Sequence, residues 1–329
     1  MSDISQVPRA SRRVAGLLSD GMSAKELRNR RLARPYHGVR RSNTIDLDQP
    51  ALRIADAIAV MTEGCSLAGW AARWLQGQAY CDGLHHGVET PVKILCGPGS
   101  HLRKRPGIQP CERLVLPGEI VDVGDVVVTT MARAAYDDML DAPNPVEALV
   151  ALEMATSTVI EQARTYLANV EAVYGSHVKT RGRRQARWAL DHASTRSASP
   201  WETRTRLLAV DALGVERWLV NVAIFDLREN LLGIADLLEP ESGLVLESDG
   251  ADHRLIERHN EDNVREESFE NHGLVVVRIG SGQHSRAERP LTIERVQQGH
   301  ARARTNRSKR WTTEKPAWWW DWPPSRRWD

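Results

Sequence analysis

Three carboxylates at the ends of two neighbouring apolar runs have residue types and spacing suited to binding a metal ion. Asp236 closes the run LLGIAD, and Glu247 and Asp249 lie in the next run, LVLESD. Residues two apart in a strand share a face, so Glu247 and Asp249 should project together. The short connection EPESG predicts a hairpin that brings Asp236 beside them. Converging carboxylates repel one another unless a cation neutralises them, which predicts an oxygen-liganded Mg²⁺ or Mn²⁺ site.

A simpler interpretation is that ESDG is only a turn signal, because acidic residues are common at strand ends. Glu247 argues against it, since this residue interrupts a run that is otherwise apolar and needs a reason to be there. Two more residues are candidates. His253 could contact a phosphate or donate a proton, or could be an ordinary surface histidine. Glu202 could be a further carboxylate of the site, a capping-box residue, or both.

The elements that must position these residues are predicted over residues 196–285. Ser199 and Pro200 open a helix. Three strand candidates follow, RWLVNVAIF, LLGIADLL and GLVLESDG, then a polar helix and the β-branched strand LVVVRIG. Helix, three strands, helix and strand predict an α/β domain with a mostly covered sheet.

The N-terminal 50 residues are rich in basic side chains. Ser23 and Glu26 form a capping box ahead of the segment AKELRNRRL, which predicts a basic helix, and a short ribbon follows it. This order is typical of a winged helix-turn-helix that binds duplex DNA. The alternative is an amphipathic helix that only packs. The predicted DNA-binding residues are Lys25, Arg28, Arg30, Arg31, Arg34 and Arg40.

The remaining segments predict less about function. Residues 51–195 alternate helical and strand-like patterns, which indicates a middle α/β domain in which His85–His86 and Asp137–Asp138 are structural or solvated. The four cysteines have no metal-ligand spacing, so we expect buried free thiols. Residues 286–329 form a basic tail that carries six of the eleven tryptophans in its last 19 residues. This tail could dock on the protein itself, stack on nucleic acid or bind a partner protein.

Composition narrows the function classes. The net charge is only +1, yet residues 1–41 hold ten Lys and Arg and residues 301–329 hold eight. Basic ends are typical of proteins that bind nucleic acid, or are simply solvated tails. The sequence has no signal peptide and no long apolar run, so we expect a cytoplasmic protein without a membrane partner.

The third segment resembles a known family. The ordered runs SPWETRTRLL, GIADLL, LVLESDGADH, HNEDNVREE and GLVVVRI are similar to domains related to the very-short-patch mismatch repair (Vsr) endonucleases, within the PD-(D/E)XK, or restriction-endonuclease-like, fold. The resemblance implies that Asp236 and Glu247 bind the metal and that Asp249 occupies a variable third position. Glu202 matches the glutamate of the family's first helix. The wider superfamily has lysine where this chain has Asp249, so activity does not follow from the fold.

The front of the chain resembles a different family. ELRNRRLARPYHGVRR and PGEIVDVGDVVVTTMARAAYDDML are similar to AbiEi-type antitoxins of abortive-infection toxin–antitoxin systems, which join a winged helix-turn-helix to a mixed α/β domain. Chains of this kind are common in actinobacteria and their phages. The resemblance implies promoter DNA as one partner and a toxin as another.

Together these observations predict four segments: a winged helix at 1–50, a middle α/β domain at 51–195, an endonuclease-like domain at 196–285 and a tail at 286–329. The main hypothesis is a DNA-binding protein with a Mg²⁺-dependent phosphodiesterase domain, acting in phage defence or a toxin–antitoxin system. The rival hypothesis is a non-enzymatic antitoxin or repressor whose nuclease-like domain is inert. A third is a defence protein whose Trp-rich tail binds another protein.

Overall fold

The computed structural model describes residues 7–100, 102–249, 265–306 and 308–321. Helices alternate with strands along the chain, and the strands form several mixed and antiparallel sheets. This architecture confirms the predicted α/β class. The chain divides into two compact units. Unit 1 comprises residues 1–143 and 162–187, and unit 2 comprises residues 144–161 and 188–329. Within the described ranges, every helix is too short or too polar to cross a bilayer.

Unit 1 is built from short elements. Its helices are α1 Val7–Ala10, α2 Val14–Ser19, α3 Gln49–Ile58, α4 Gly69–Leu75, α5 Met131–Asp141 and α7 Leu167–Ser176, while α8 Arg183–Asp191 crosses the boundary between the units. Its strands are β1 Ser11–Arg13, β2 Leu32–Ala33, β3 Val39–Ser42, β4 Cys65–Ala68, β5 Leu84–His85, β6 Val88–Glu89, β7 Val92–Cys96, β8 Ile108–Cys111, β9 Ile120–Val123 and β10 Val126–Thr129.

The N-terminal segment contains the predicted ribbon but not the predicted basic α-helix. Strands β1, β3 and β2 form a small antiparallel sheet in that order. The capping box between Ser23 and Glu26 is present, yet only a 3₁₀ turn, Glu26–Arg28, follows it. Asn29 ends the turn with extended backbone, and its side chain accepts a hydrogen bond from the Arg31 amide at 2.9 Å. The prediction of an α-helix over 24–32 is therefore wrong, because this side chain offers the backbone an alternative to the helix.

A five-stranded mixed sheet, in the order β8-β7-β4-β10-β9, is the centre of unit 1. Strand β4 pairs antiparallel with β7 and parallel with β10. Val7 and Val39 of the N-terminal segment join the same core as Ile54 and Leu67. The N-terminal sheet therefore shares its apolar core with the middle of the chain.

Acidic residues of α5 are held in buried ion pairs. Asp137 is fully buried, and Arg113 and Arg133 donate hydrogen bonds to its two oxygens at 3.0 Å each. Arg73 donates to Asp138 at 2.8 Å. Buried carboxylates need such partners, so both aspartates are part of the packing of unit 1.

Unit 2 contains the predicted order of helix, three strands, helix and strand. Its helices are α6 Pro145–Thr156, α9 Pro200–Leu213, α10 (described over 265–271) and α11 Arg289–Thr305, and its strands are β11 Leu219–Asp226, β12 Leu231–Glu239, β13 Leu244–Asp249, β14 Val275–Gly280 and β15 Trp311–Thr312. The strands form one sheet in the order β14-β13-β12-β11-β15. Strands β13 and β14 are parallel, and the other neighbours are antiparallel.

Both faces of this sheet are covered. Leu208 of α9 and Val296 of α11 pack with Leu237 and Leu246 in one buried cluster. Phe269 of α10 packs with Val245 in another. The two clusters explain why Leu244, Val245 and Leu246, the first half of β13, are all apolar and buried, as expected for a strand covered on both faces.

The described part of the Trp-rich tail docks on unit 2 itself. Trp311 lies in β15 and pairs with Asp226 at the edge of β11. Trp319 is fully buried and meets the ring of Phe225 edge-on, with centroids 5.3 Å apart. Trp320 is 55% exposed. Docking, which was one of the alternatives left open, therefore accounts for Trp311 and Trp319.

Candidate metal centre

The β12–β13 hairpin places Asp236 beside Glu247. Leu237 pairs with Leu246, and the same antiparallel register sets Asp236 opposite Glu247. The Ser248 amide donates a hydrogen bond to Asp236 Oδ2 at 2.7 Å. Asp236 lies inside β12, which continues to Glu239, so its predicted position at a strand end is wrong. The predicted proximity of the two acids is nevertheless present, because the register and not the strand end creates it.

Glu247 is the most unusual carboxylate of the hairpin. Its side chain is buried, and Arg265 of α10 donates to Oε2 at 2.8 Å. The other oxygen, Oε1, is buried and accepts no hydrogen bond from any described residue. Burial, followed by the negative charge of Asp236, raises the pKa of Glu247 well above 4.5, while Arg265 and Arg278 oppose the shift. A buried oxygen that accepts no hydrogen bond has a lone pair with which it could bind a cation.

Glu202 reaches the same group of acids from α9. It is the third residue of the helix, and Ser199 caps the helix by accepting from the Glu202 amide at 3.2 Å. Its carboxylate accepts from the Ala198 amide at 2.7 Å rather than from the Ser199 amide, so the capping box is displaced by one residue. Burial raises the pKa of Glu202 from 4.5 to about 8, and the charge of Asp236 adds to the effect.

Asn221 positions Glu202, and sequence reasoning missed it. It lies in β11 opposite Asp236, between the pairs Val220–Leu237 and Val222–Ala235. Its side-chain amide donates to Glu202 Oε2 at 2.6 Å and to the Arg196 carbonyl at 2.7 Å. Its φ of 46° is in the left-handed region, which is rare inside a strand. The signal in the sequence was a single polar residue in the apolar run LVNVAIF.

The other predicted site residues are placed differently. Asp249 shares the strand parity of Glu247, but it is exposed at the last position of β13. His253 lies outside the described residues. The structure therefore places Glu202 and Glu247 each close to Asp236, with Asp249 at the margin.

A chain of side-chain hydrogen bonds leads away from the hairpin on the α9 side. Ser248 donates to Thr205 Oγ1 at 3.0 Å, and that hydroxyl lies 3.2 Å from Nε2 of His284. The His284 ring packs on Trp201 with centroids 5.4 Å apart. No pattern in the sequence points to His284, because 79 residues separate it from Thr205.

These residues offer the donor atoms that a hard divalent cation binds, although the three carboxylates do not all lie within 4.8 Å of one another. Glu202, Asp236 and Glu247 offer carboxylate oxygens only, which is the donor set that Mg²⁺ and Mn²⁺ prefer. The raised pKa values of Glu202 and Glu247 both arise from burial next to Asp236. A bound cation would remove this mutual repulsion and would fill the vacant coordination of Glu247 Oε1.

The predicted DNA-binding residues lie around the N-terminal 3₁₀ turn. Five of them are exposed, namely Lys25, Arg28, Arg30, Arg31 and Arg34. Arg40 is half-buried and donates to the carbonyls of Leu27 and Val39 at 3.0 and 2.8 Å. We call the five exposed residues the N-terminal basic surface, and Arg40 holds the turn against β3.

Comparison with known proteins gives no relative on which function could rest. No family model, no curated protein and no solved structure matches this chain.

Proposed function

We propose that unit 2 is a divalent-metal-dependent phosphodiesterase acting on DNA, with Asp236, Glu247 and Glu202 as the residues that hold Mg²⁺ or Mn²⁺. The observation that carries the proposal is the buried Glu247 Oε1, which accepts no hydrogen bond from the described residues and belongs to a side chain close to the charge of Asp236. The resemblance to Vsr-related domains supports the same residues.

A bound divalent ion would supply Lewis-acid chemistry, lowering the pKa of a water and balancing charge on a phosphate. The chain contributes positioning. The Ser248 amide orients Asp236, and Arg265 fixes one oxygen of Glu247. Asn221 fixes one oxygen of Glu202. We assign Asp249 an assisting role at the exposed margin, either as a further ligand or as a base toward water. His253 is proposed as a contact to the scissile phosphate, or as the donor of a proton to the leaving oxygen.

The test is cleavage of plasmid, mismatched duplex and single-stranded DNA with Mg²⁺ or Mn²⁺, comparing the wild type with Asp236→Asn and Glu247→Gln. We expect each variant to lose activity by at least about 100-fold, because each removes a ligand charge from the site. Asp211→Asn is the matched control, since Asp211 is a surface carboxylate that Arg289 pairs at 2.7 Å. Metal-independent cleavage, or equal rates for all four proteins, would disprove the proposal.

A second function is favoured by the N-terminal basic surface: regulation by binding duplex DNA without cleavage, as an antitoxin or repressor does. Five exposed cations within ten residues can neutralise several phosphates. If the wild type binds DNA but never cleaves it with either metal, this regulator is the better description. A cognate toxin is proposed here only through the AbiEi-type resemblance.

The basic surface has its own test. Arg30→Glu with Arg31→Glu should weaken duplex binding and make the slope of log K against log salt shallower by roughly two, since each lost phosphate contact contributes about 0.9. The matched control reverses the charge of Arg286 and Arg289, which lie in unit 2. An unchanged slope in the Arg30 and Arg31 variant would exclude this surface as the DNA contact.

A further inference from the structure

Two cysteines on neighbouring strands of unit 1 face each other. Cys65 of β4 is the direct antiparallel partner of Cys96 of β7. The hydrogen bond from the Gly97 amide to the Gly64 carbonyl, 3.0 Å, marks the adjacent pair as the hydrogen-bonded one. The Cys65 amide instead donates to Thr62 within its own turn. Cys65 and Cys96 therefore occupy a non-hydrogen-bonded pair, where side chains approach most closely.

This geometry matches the reach of a disulfide. Cα atoms in a non-hydrogen-bonded pair are about 4.5 Å apart, and disulfides span Cα distances from roughly 4.4 to 6.8 Å. Gly97 also lies against Gly64, because a Cβ on Gly97 would come within 2.8 Å of the Gly64 carbonyl oxygen. The two strand ends are thus held together just beyond the cysteines, so little backbone movement is needed to join the sulfurs.

The two thiols have different surroundings, and the difference assigns their roles. Burial opposes ionisation of Cys65, but the hydroxyls of Ser100 at 3.0 Å and Thr62 at 3.4 Å hydrogen-bond its sulfur and lower its pKa. Burial and the neighbouring Cys65 raise the pKa of Cys96, whose thiol donates to the Ile94 carbonyl. Thr62 is exposed and Ser100 is half-buried, so the Cys65 sulfur lies directly beneath solvent-exposed turns.

We propose that Cys65 and Cys96 form a peroxide-sensitive dithiol that closes reversibly to a cross-strand disulfide. The Cys65 thiolate attacks a peroxide oxygen, an S–O bond forms, the O–O bond breaks, and the departing hydroxide takes a proton to become water. The Cys96 sulfur then attacks the Cys65 sulfur, an S–S bond forms, and the S–O bond breaks. The thiol proton leaves with the hydroxide as a second water. Two thiols are oxidised and one hydrogen peroxide is reduced.

The other two cysteines serve as internal references. Cys81 is buried, its thiol donates to the Gln78 carbonyl, and burial raises its pKa to about 12, so it should not react. Cys111 lies on β8, where its register partner is Leu95 and where its backbone, rather than its thiol, hydrogen-bonds the Cys96 sulfur. Neither residue has an opposing thiol on a neighbouring strand of this sheet.

The experiment treats the full-length protein with stoichiometric hydrogen peroxide, alkylates the remaining thiols and maps peptides by mass spectrometry without reduction. The expected product is a Cys65–Cys96 peptide lighter by two hydrogen atoms, which dithiothreitol reverses. Cys96→Ser should accumulate a sulfenic acid at Cys65 that dimedone traps. Cys65→Ser should slow peroxide consumption at least about tenfold, because the more acidic thiol is lost.

Cys111→Ser and Cys81→Ser are the matched controls and should still form the disulfide, provided that their circular dichroism matches the wild type. A disulfide that includes Cys111, or complete alkylation of Cys65 and Cys96 after peroxide, would overturn the proposal. The wild-type peptide map decides the matter even if a variant fails to fold.

Discussion

Individual carboxylates determine how unit 2 should respond to pH. Glu202 is an acid whose pKa rises on folding from 4.5 to about 8. Between these values the folded state binds more protons than the unfolded state, so stability falls as pH rises. The stability that protonated Glu202 adds to the folded state is complete below about pH 4.5 and is lost as pH increases through about 8. Glu247 shifts in the same direction.

This gives a prediction about metal and pH together. Without divalent metal, the melting temperature of unit 2 should fall between pH 5 and 8, and Glu202→Gln should flatten that fall because it removes the titrating group. Added Mg²⁺ should raise the melting temperature more at pH 8 than at pH 5, because it competes with protons for the same oxygens. Differential scanning fluorimetry at fixed ionic strength measures both effects. A Mg²⁺ response that is the same at both pH values would contradict the prediction.

Residue types in the sequence were enough to find the acids, but not to find what holds them. Glu247 was recognisable as a charge in an apolar run. Asn221 was not identified as the supporting partner of Glu202, because it reaches that carboxylate through the packing of β11 against α9. His284 was missed for the same reason.

Asn221 provides a prediction for the strand that carries it. Asn221→Ala should reduce the free energy of unfolding by roughly 2 to 4 kcal/mol, because it removes the hydrogen bonds donated to Glu202 and to the Arg196 carbonyl and puts alanine at positive φ. Asn221→Gly removes the same hydrogen bonds but tolerates a φ of 46°. We therefore expect the glycine variant to be less destabilised, by about 1 kcal/mol, in urea unfolding. An alanine variant as stable as the glycine variant would show that backbone strain is unimportant here.

At the scale of elements, periodicity predicted the sheet of unit 2 well. All four strands from β11 to β14 lie where alternation or β-branched runs placed them. The prediction of an α-helix in the N-terminal basic segment was wrong. Helix propensity and a capping box are both present, but the Asn29 side chain accepts a hydrogen bond from the Arg31 amide and the helix does not continue. Residues 145–170 carry one helical pattern, but the structure ends α6 at Thr156 and begins α7 at Leu167.

The turn after α10 offers a second test at this scale. Gly273 has a φ of 91°, and a Cβ there would lie 1.9 Å from the Ser308 carbonyl oxygen. Gly273→Ala should cost roughly 3 kcal/mol or more, because a backbone clash adds to the strain of positive φ. Gly214→Ala is the control, since φ is 64° and nothing lies within 4 Å. It should cost only about 1 kcal/mol. Equal costs in chemical denaturation would contradict the close approach.

The tail gives a third element-scale prediction. Trp319→Ala should destabilise unit 2 by roughly 3 to 5 kcal/mol, as expected for a fully buried aromatic ring. Trp320→Ala should change stability by about 0.5 kcal/mol or less, because more than half of that side chain is exposed. If both variants melt like the wild type, the tail does not dock on β11.

At the scale of the molecule, the two compact units are not continuous stretches of the chain. Residues 144–161 belong to unit 2, although they precede residues 162–187 of unit 1. The reason is visible in α6. Glu153 is fully buried and accepts hydrogen bonds from Ser197, Thr203 and Arg206. Sequence could not reveal this, because the partners of Glu153 are more than 40 residues away.

A fragment that begins at residue 196, the boundary expected from the sequence, should therefore be unstable. It would lack Glu153, and it would lose the pair in which Arg204 donates twice to Glu147 at 2.9 and 2.8 Å. A fragment that begins at residue 144 keeps both. We expect cooperative thermal unfolding only from the longer fragment, as followed by circular dichroism. A cooperative transition in the shorter fragment would show that α6 is dispensable.

The position of β15 has a consequence for how the protein is made. Strand β11 ends at Asp226, but the strand that covers its outer edge begins about 85 residues later, at Trp311. At translation rates of about 5 to 20 residues per second, the outer edge of β11 remains unpaired for roughly 4 to 17 seconds before β15 is synthesised. An apolar strand with unpaired amides can recruit other nascent chains during such an interval. Slow synthesis or crowded polysomes should therefore favour aggregation through β11 before the ribosome has synthesised β15, which covers this edge.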